Sequence, residues 1–386
     1  MFRTRRSVSA GTDAGMTARD DELLEAITQL VPALLTCMAA FEQVQRNMHP
    51  ARLGELAEFI KPYEAALQDA CAGFKQLSFP EHLNSFGDRL QQAATYSLRA
   101  CNGITASGGT VSTNGRGAFA AMKAMRAQCR AQEWLYPVAA AFKPVSQYFL
   151  EEAARNNERL IEALNQPEDM SDLGLLTTNG DRAARGGFSL YVPENIDAEA
   201  PTPLVVALHG GTGHGADFIW SWLREARTRG FLLLSPTAQQ DTWSLMGEDL
   251  DLPHLLQALA LIGAKFNIDS QHILLTGMSD GGSYTLLAGL KEASPFTHLA
   301  PFSSVLHPDL AMSGRLAFAK DRDIYLVHGT QDWIFPIETA FMAQSALEAA
   351  GAKLIFRPIE GLSHTYCRTE NDALLRWFHP GLVMPD

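Results

Sequence analysis

The chain has 386 residues, 46% of them hydrophobic and 19% charged, with a formal charge of -12. That length predicts two folding units rather than one core. An acidic chain without a Lys/Arg stripe disfavours a nucleic-acid partner, because phosphate binding needs clustered cations. Residues 1–170 hold 17 basic against 19 acidic side chains and residues 171–386 hold 14 against 24, so the acid excess sits in the second part.

Residues 1–18 are a polar tail for which disorder is expected. The start is basic, Met1-Phe2-Arg3-Thr4-Arg5-Arg6, but Ser, Gly and acidic residues follow where an export signal needs an apolar core. A soluble, cytoplasmic protein is therefore expected. Five cysteines (Cys37, Cys71, Cys101, Cys129, Cys367) show no metal-type spacing and read as small buried thiols. Pairing among the first four stays open if the protein is exported.

Residues 19–165 are helical in pattern throughout. Leu23, Leu24, Ile27, Leu30, Val31, Leu34 and Leu35 recur at the spacing of one helix face. The apolar stretch Ile27 to Phe41 contains Pro32 and lies between Glu25 and Glu42, which fits a buried helix better than a bilayer span. Further runs cover 53–71, 86–101, 119–129 and 145–164, separated by His49-Pro50, Phe79-Pro80 and a Gly/Ser-rich loop at 106–117. The expectation is an all-α bundle of four or five helices.

Around Asn165-Gln166-Pro167-Glu168-Asp169 the texture changes. Strands are predicted over 188–192, 204–208, 231–235, 273–276, 324–327 and 354–359, with one more, between 273–276 and 324–327, ending near His307. Helices are predicted near 216–228, 252–266, 281–292, 337–350 and 370–378. Such alternation predicts an α/β unit over 172–386, a mostly parallel sheet with helices on both faces. The interval between His307 and Asp323 leaves no room for a large inserted cap, so any cover for the site has to come from the helices at 19–165.

The sharpest local feature is the apolar run from Ile273 into Gly277-Met278-Ser279-Asp280-Gly281 and then a helical segment. Strand, Gly-x-Ser-x-Gly and helix together form a nucleophile elbow, in which glycines two residues either side keep backbone clear of a strained serine. Upstream, a strand ends in His209-Gly210-Gly211, the form of a second oxyanion element; the amides of Gly211 and Asp280 are the predicted oxyanion donors. A phosphate-cradle reading fails, since neither Gly-x-Gly-x-x-Gly with a following acid nor Gly-Lys-Ser/Thr is present. Downstream, one strand leads to Asp332 and the last leads to His364. The chain order Ser279, Asp332, His364 separates this arrangement from other serine-protease orders.

On these residues, together with Phe188–Pro193, Leu208–Gly211, Asn267-Ile268-Asp269, Gly277–Gly282 and His328–Asp332 with Pro336, the segment 172–386 resembles α/β-hydrolases. Within them it is similar to predicted esterases of the phospholipase/carboxylesterase and polyhydroxybutyrate-depolymerase-like group. The resemblance implies that His364 takes the proton of Ser279 and that Asp332 holds its tautomer. His209 and His328 are expected to shape loops, and a metal site from His209, His214 and an acid matches no zinc-enzyme spacing. Trp243, Trp333 and Phe335 fall at carboxyl ends of strands, where they are candidates for pocket walls. The expected function is hydrolysis of small soluble esters through an acyl-enzyme, without cofactor, metal or membrane. A thioesterase, a serine peptidase or a non-catalytic scaffold remain alternatives, and the oligomeric state is open.

Overall fold

The computed structural model describes residues 18–108, 116–165, 171–178, 180–197 and 199–385. The expected disordered tail lies outside the described residues apart from residue 18, as do 109–115 of the 106–117 loop and 166–170 of the composition break.

Four long helices open the fold: α1 (Ala18–Arg46), α2 (Leu53–Phe74), α3 (Asn84–Gly108) and α4 (Arg116–Leu135). Neither Pro32 in α1 nor Pro62 in α2 breaks its helix. A proline inside a helix costs about 3 kcal/mol, and burial of Leu30, Leu34, Cys37, Met38 and Phe41 along one side of α1 outweighs it. By length and composition Asp20–Arg46 is also apolar enough to cross a membrane, at a mean hydropathy of 1.6; here its apolar face packs against α2 and α3. The single helix expected over 145–164 is instead two, α5 (Lys143–Tyr148) and α6 (Glu158–Leu164). Asn157 caps the second, its side chain accepting the amide of Leu160 at 3.0 Å, so a new helix starts there.

The rest alternates strand and helix: β1 (Gly174–Thr177), β2 (Phe188–Val192), β3 (Thr202–Leu208), α7 (Gly215–Phe218), α8 (Leu223–Arg229), β4 (Leu232–Pro236), α9 (Asp251–Gly263), β5 (Ile268–Met278) and α10 (Asp280–Gly289). β6 (His298–Phe302), α11 (Pro308–Met312), β7 (Asp323–Gly329), α12 (Ile337–Ala349), β8 (Lys353–Ile359) and α13 (Asn371–Phe378) complete it. The eight strands form one sheet in the order β1-β2-β4-β3-β5-β6-β7-β8, antiparallel at β1-β2-β4 and parallel thereafter.

Three local expectations need correction. β1 was not foreseen: four residues are too few to show a period. The helix expected at 216–228 is divided into α7 and α8 by the turn Ile219–Ser221 and an extended-side Trp222 at φ -129°. β6 stops at Phe302 rather than near His307, because Ser303, whose amide still donates to Val327 O of β7, turns to φ 43° and ends the extended run. Between β6 and β7 stand only α11 and the turn Arg315–Ala319, so no cap is inserted there.

Residues alternate between the two faces of the sheet with period two. Leu190, Val192, Leu204, Val206, Leu208 and Leu275 join α9, α10 and α12 on one face. Tyr191, Val205, Ala207, Leu233, Leu274 and Val327 face the other way, against α8 and α13. That second core does not stop at residue 172. It continues without a gap through Trp220, Tyr136 and Phe149 into α1–α4.

Candidate active site

Ser279 joins β5 to α10 with φ 57° and ψ -120°, a left-handed conformation that a residue with Cβ adopts only when its surroundings hold it there. Its amide donates to Phe302 O at 2.9 Å, and its carbonyl accepts the Ser283 amide at 2.9 Å to start the helix. The flanking glycines are there for space. A Cβ on Gly281 would lie 2.4 Å from His209 O, and one on Gly277 2.5 Å from Gly281 O.

The loops after β7 and β8 bring two more side chains to this edge. His364 Nε2 lies 3.0 Å from Ser279 Oγ, and His364 Nδ1 lies 2.8 Å from Asp332 Oδ2. Both His364 and Asp332 are buried. Asp332 Oδ1 accepts the amides of Ile334 (2.9 Å) and Phe335 (2.8 Å), which fixes the carboxylate edge that meets the imidazole. His328 Nε2 donates to Phe335 O at 2.8 Å while its Nδ1 is buried without a partner. Burial lowers its pKa, so it braces this loop as a neutral ring.

The loop after β3 carries Gly211 opposite the start of α10, where Asp280 is the first helical residue. The two approach so closely that a Cβ on Gly211 would stand 2.6 Å from Asp280 Oδ2. His209 stabilises the loop from beneath. Its Nε2 accepts the amide of Ala238 (3.1 Å), so the proton of the neutral ring is on Nδ1, which donates to Gly210 O (2.6 Å). Burial pushes the His209 pKa down to about 3. His214 Nδ1 accepts the Ala216 amide at the start of α7, and burial lowers its pKa to about 4. With these lone pairs committed to backbone amides, the two histidines do not form a metal site.

Of the three aromatic candidates, Phe335 lines the cavity above Ser279 and sits edge-on to His364, 5.3 Å between ring centroids. Trp243 does not. It is buried against Tyr284 and donates Nε1–H to His209 O at 2.7 Å, which makes it a support of the oxyanion loop. Trp333 packs its ring against Phe119 of α4, 5.1 Å away, at the edge of the site.

Sequence reading missed the side chains that clamp the oxyanion loop. Thr212 has φ 55°; its amide donates to Asp241 O (2.7 Å), and Arg126 Nη2, from α4, donates to its carbonyl (2.7 Å) and Oγ1 (3.0 Å). Arg185 Nη1 holds Gly213 O at 2.8 Å, and Thr242 Oγ1 donates to Asp280 Oδ2 at 2.6 Å. Arg126 lies 86 positions from Thr212, and no local pattern announces such a contact.

The same helices wall the site. A cavity of about 1220 Å³ opens over Ser279 and His364, and α1 and α4 contribute Met38, Phe41, Met122 and Met125 to its lining. A further side-chain group, Asp269, His272 and His379, gathers its polar atoms within 4.8 Å beside β5 and α13. One ring nitrogen of each histidine is engaged: His272 Nδ1 meets Asp269 Oδ2 at 2.6 Å, and His379 Nδ1 accepts the Gly381 amide at 3.0 Å.

A largely parallel sheet covered on both faces, with a strained serine elbow at the carboxyl end of a central strand, gives the part after residue 171 the architecture of the α/β-hydrolase fold. More particularly, residues 230–378 match the model of the Phospholipase/Carboxylesterase family. Over 158 residues the chain is 28% identical to a bifunctional acetylxylan esterase/xylanase of Neocallimastix patriciarum, covering 39% of this chain and 22% of that protein. Over 110 residues it is 26% identical to acyl-protein thioesterase 1 of Neurospora crassa, covering 28% of this chain and 45% of that one. It thus spans less than half the length of either curated relative. Among solved structures, an acetyl xylan esterase from Aspergillus awamori is similar at 16% identity and a TM-score of 0.45, covering 54% of this chain and all of that one.

Proposed function

We propose that the protein is a serine hydrolase that cleaves soluble carboxylic esters through an acyl-enzyme on Ser279. The observation that carries this reading is the continuous path from Asp332 Oδ2 through His364 to Ser279 Oγ, at 2.8 and 3.0 Å, ending on a strained elbow. Ser279 Oγ attacks the ester carbonyl as its proton passes to His364 Nε2, and Asp332 stabilises the imidazolium that forms. The amides of Gly211 and Asp280 receive the negative oxygen of the tetrahedral intermediate. Collapse releases the alcohol, which takes the proton from His364, and water then repeats the sequence to free the acid. The five free thiols fit a reducing compartment.

A thioester in place of the ester is the second reading, favoured by the likeness to an acyl-protein thioesterase. The test of both is Ser279→Ala. It should retain the fold, lose labelling by a fluorophosphonate probe, and lower turnover of p-nitrophenyl acetate by about 10⁴ or more. Activity within tenfold of the parent would refute the assignment, and the ratio of rates on matched oxygen and sulfur esters would separate the two readings.

A further inference from the structure

The cavity over Ser279 has a second, cationic region. Arg155, Arg224 and Arg368 all line it, from the segment before α6, from α8 and from the segment before α13. Two carboxylates serve these three guanidinium groups. Arg224 Nη1 pairs with Glu42 of α1; Arg368 pairs with Glu225 at 3.1 Å and lies 3.9 Å from Glu42. Arg155 has no ion pair among the described residues. Its neighbour Glu152 is exposed and likewise makes none among them.

Arg224 is 5% exposed and lies 4.3 Å from the centre of the Tyr148 ring, yet among the described residues its Nε and Nη2 have no hydrogen-bond partner, and neither does Arg155 Nε. A buried charged donor left unpaired is costly, more so than a neutral one. Burial first, and then the adjacent charge of Arg224, lower the pKa of Arg155 against the opposing pull of Glu152 and Glu42. Nε and Nη2 share one edge of a guanidinium, the edge that takes a carboxylate through two parallel bonds. A carboxylate brought by a ligand would give these unpaired donors the acceptor that the described side chains do not.

We propose that this region binds a carboxylate carried by the substrate, so that the enzyme acts on esters with a carboxylate several bonds from the scissile carbonyl. The assignment rests on Ser279 as nucleophile. The methylene chain of such an ester suits the apolar lining that Met38, Phe41, Met125 and Phe218 give the same cavity. Arg155 Nε and the Nε–Nη2 edge of Arg224 are out of solvent contact as they stand, so both side chains turn toward the acid as it enters.

The experiment compares kcat/KM for esters ending in a free carboxylate with the same esters capped as methyl esters. One series, p-nitrophenyl monoesters of succinic to suberic acid, places the carboxylate on the acyl side. A second, acetyl esters of ω-hydroxy acids, places it on the alcohol side. At the best length the free acid should win by about tenfold or more, and the series that shows this identifies the side. Arg155→Gln, which breaks no ion pair of the described structure, and Arg224→Gln should each bring the ratio toward one. Calorimetric binding of glutarate, adipate and suberate to the full chain reads the site without turnover, so it distinguishes a wrong subsite from a wrong nucleophile. Saturable binding that weakens at least tenfold in Arg155→Gln supports the site. No binding of any diacid, or a charge preference that survives both substitutions, overturns it.

Discussion

His209 and His214 show how much of the oxyanion loop depends on neutral imidazoles. Each gives a lone pair to a backbone amide, and protonation would set an N–H against an N–H. Burial therefore holds their pKa values at about 3 and about 4, below the ordinary 6.5. The sign of the linkage follows. Below pH 6.5 the unfolded chain binds protons that the folded chain refuses, so stability is complete above that value and is lost as pH falls toward 4. Two such protons give a slope approaching about 2.7 kcal/mol per pH unit near pH 5. Urea midpoints at pH 7, 5.5 and 4.5 check this, and His214→Gln should remove about one proton from the slope; an unchanged slope would refute the assignment. At this scale much was legible in the sequence. Ser279, Asp332 and His364 each stand at a strand end, and the Gly-x-Ser-x-Gly spacing records a steric need that Gly277 and Gly281 show directly. Trp243 was misjudged because an aromatic at a strand end reads alike whether it faces a ligand or lies beneath a loop.

Among the elements, α4 has a role that neither its pattern nor its position suggested. Its apolar residues line the cavity, while Arg126 reaches from it to Thr212, next to the predicted oxyanion donor Gly211. Thr212 at φ 55° costs about 1–3 kcal/mol to hold, and the Arg126 contacts help to offset that cost. Arg126→Ala should therefore act on kcat, because a loosened loop moves an amide that matters most in the transition state. A fall in kcat of about tenfold with little change in KM is expected, with Arg126→Lys keeping more of the rate and the circular dichroism spectrum unaltered. A rise in KM alone would make Arg126 a substrate contact instead. Strand positions were legible because burial on both faces leaves continuous apolar runs. What was missed is irregularity: the break between α5 and α6, where Asn157 caps a new helix, and the turn that parts α7 from α8 each interrupt a segment read as one helix.

In the whole molecule, the composition break near residue 167 and the packing tell different stories. Sequence texture separates a helical part from a sheet, and the expectation was a bundle able to stand alone beside the site. The packing joins them. Tyr136 donates to Glu194 at 2.5 Å, as does Tyr191 of β2, while Arg227 of α8 bonds Glu194 and the carbonyl and hydroxyl of Ser146 at 3.0–3.3 Å. Arg227 and Glu194 are both buried, so removing the helices would strip this pair of Tyr136 and Ser146, two of its three other partner residues. It would also bare Trp220, which packs against Tyr136 and Phe149 and is now almost wholly enclosed. Breaking a buried charged network typically costs about 3–5 kcal/mol, and the exposed apolar area adds to that. A chain beginning at Ser171 should accordingly be poorly soluble, bind a hydrophobic dye, or melt at least about 10 °C below the full chain. The full chain should unfold in one calorimetric transition. Should the shortened chain instead keep its melting temperature and its acyl-length preference, the helices would be a separate unit, and the cavity wall they supply would have no bearing on substrate choice.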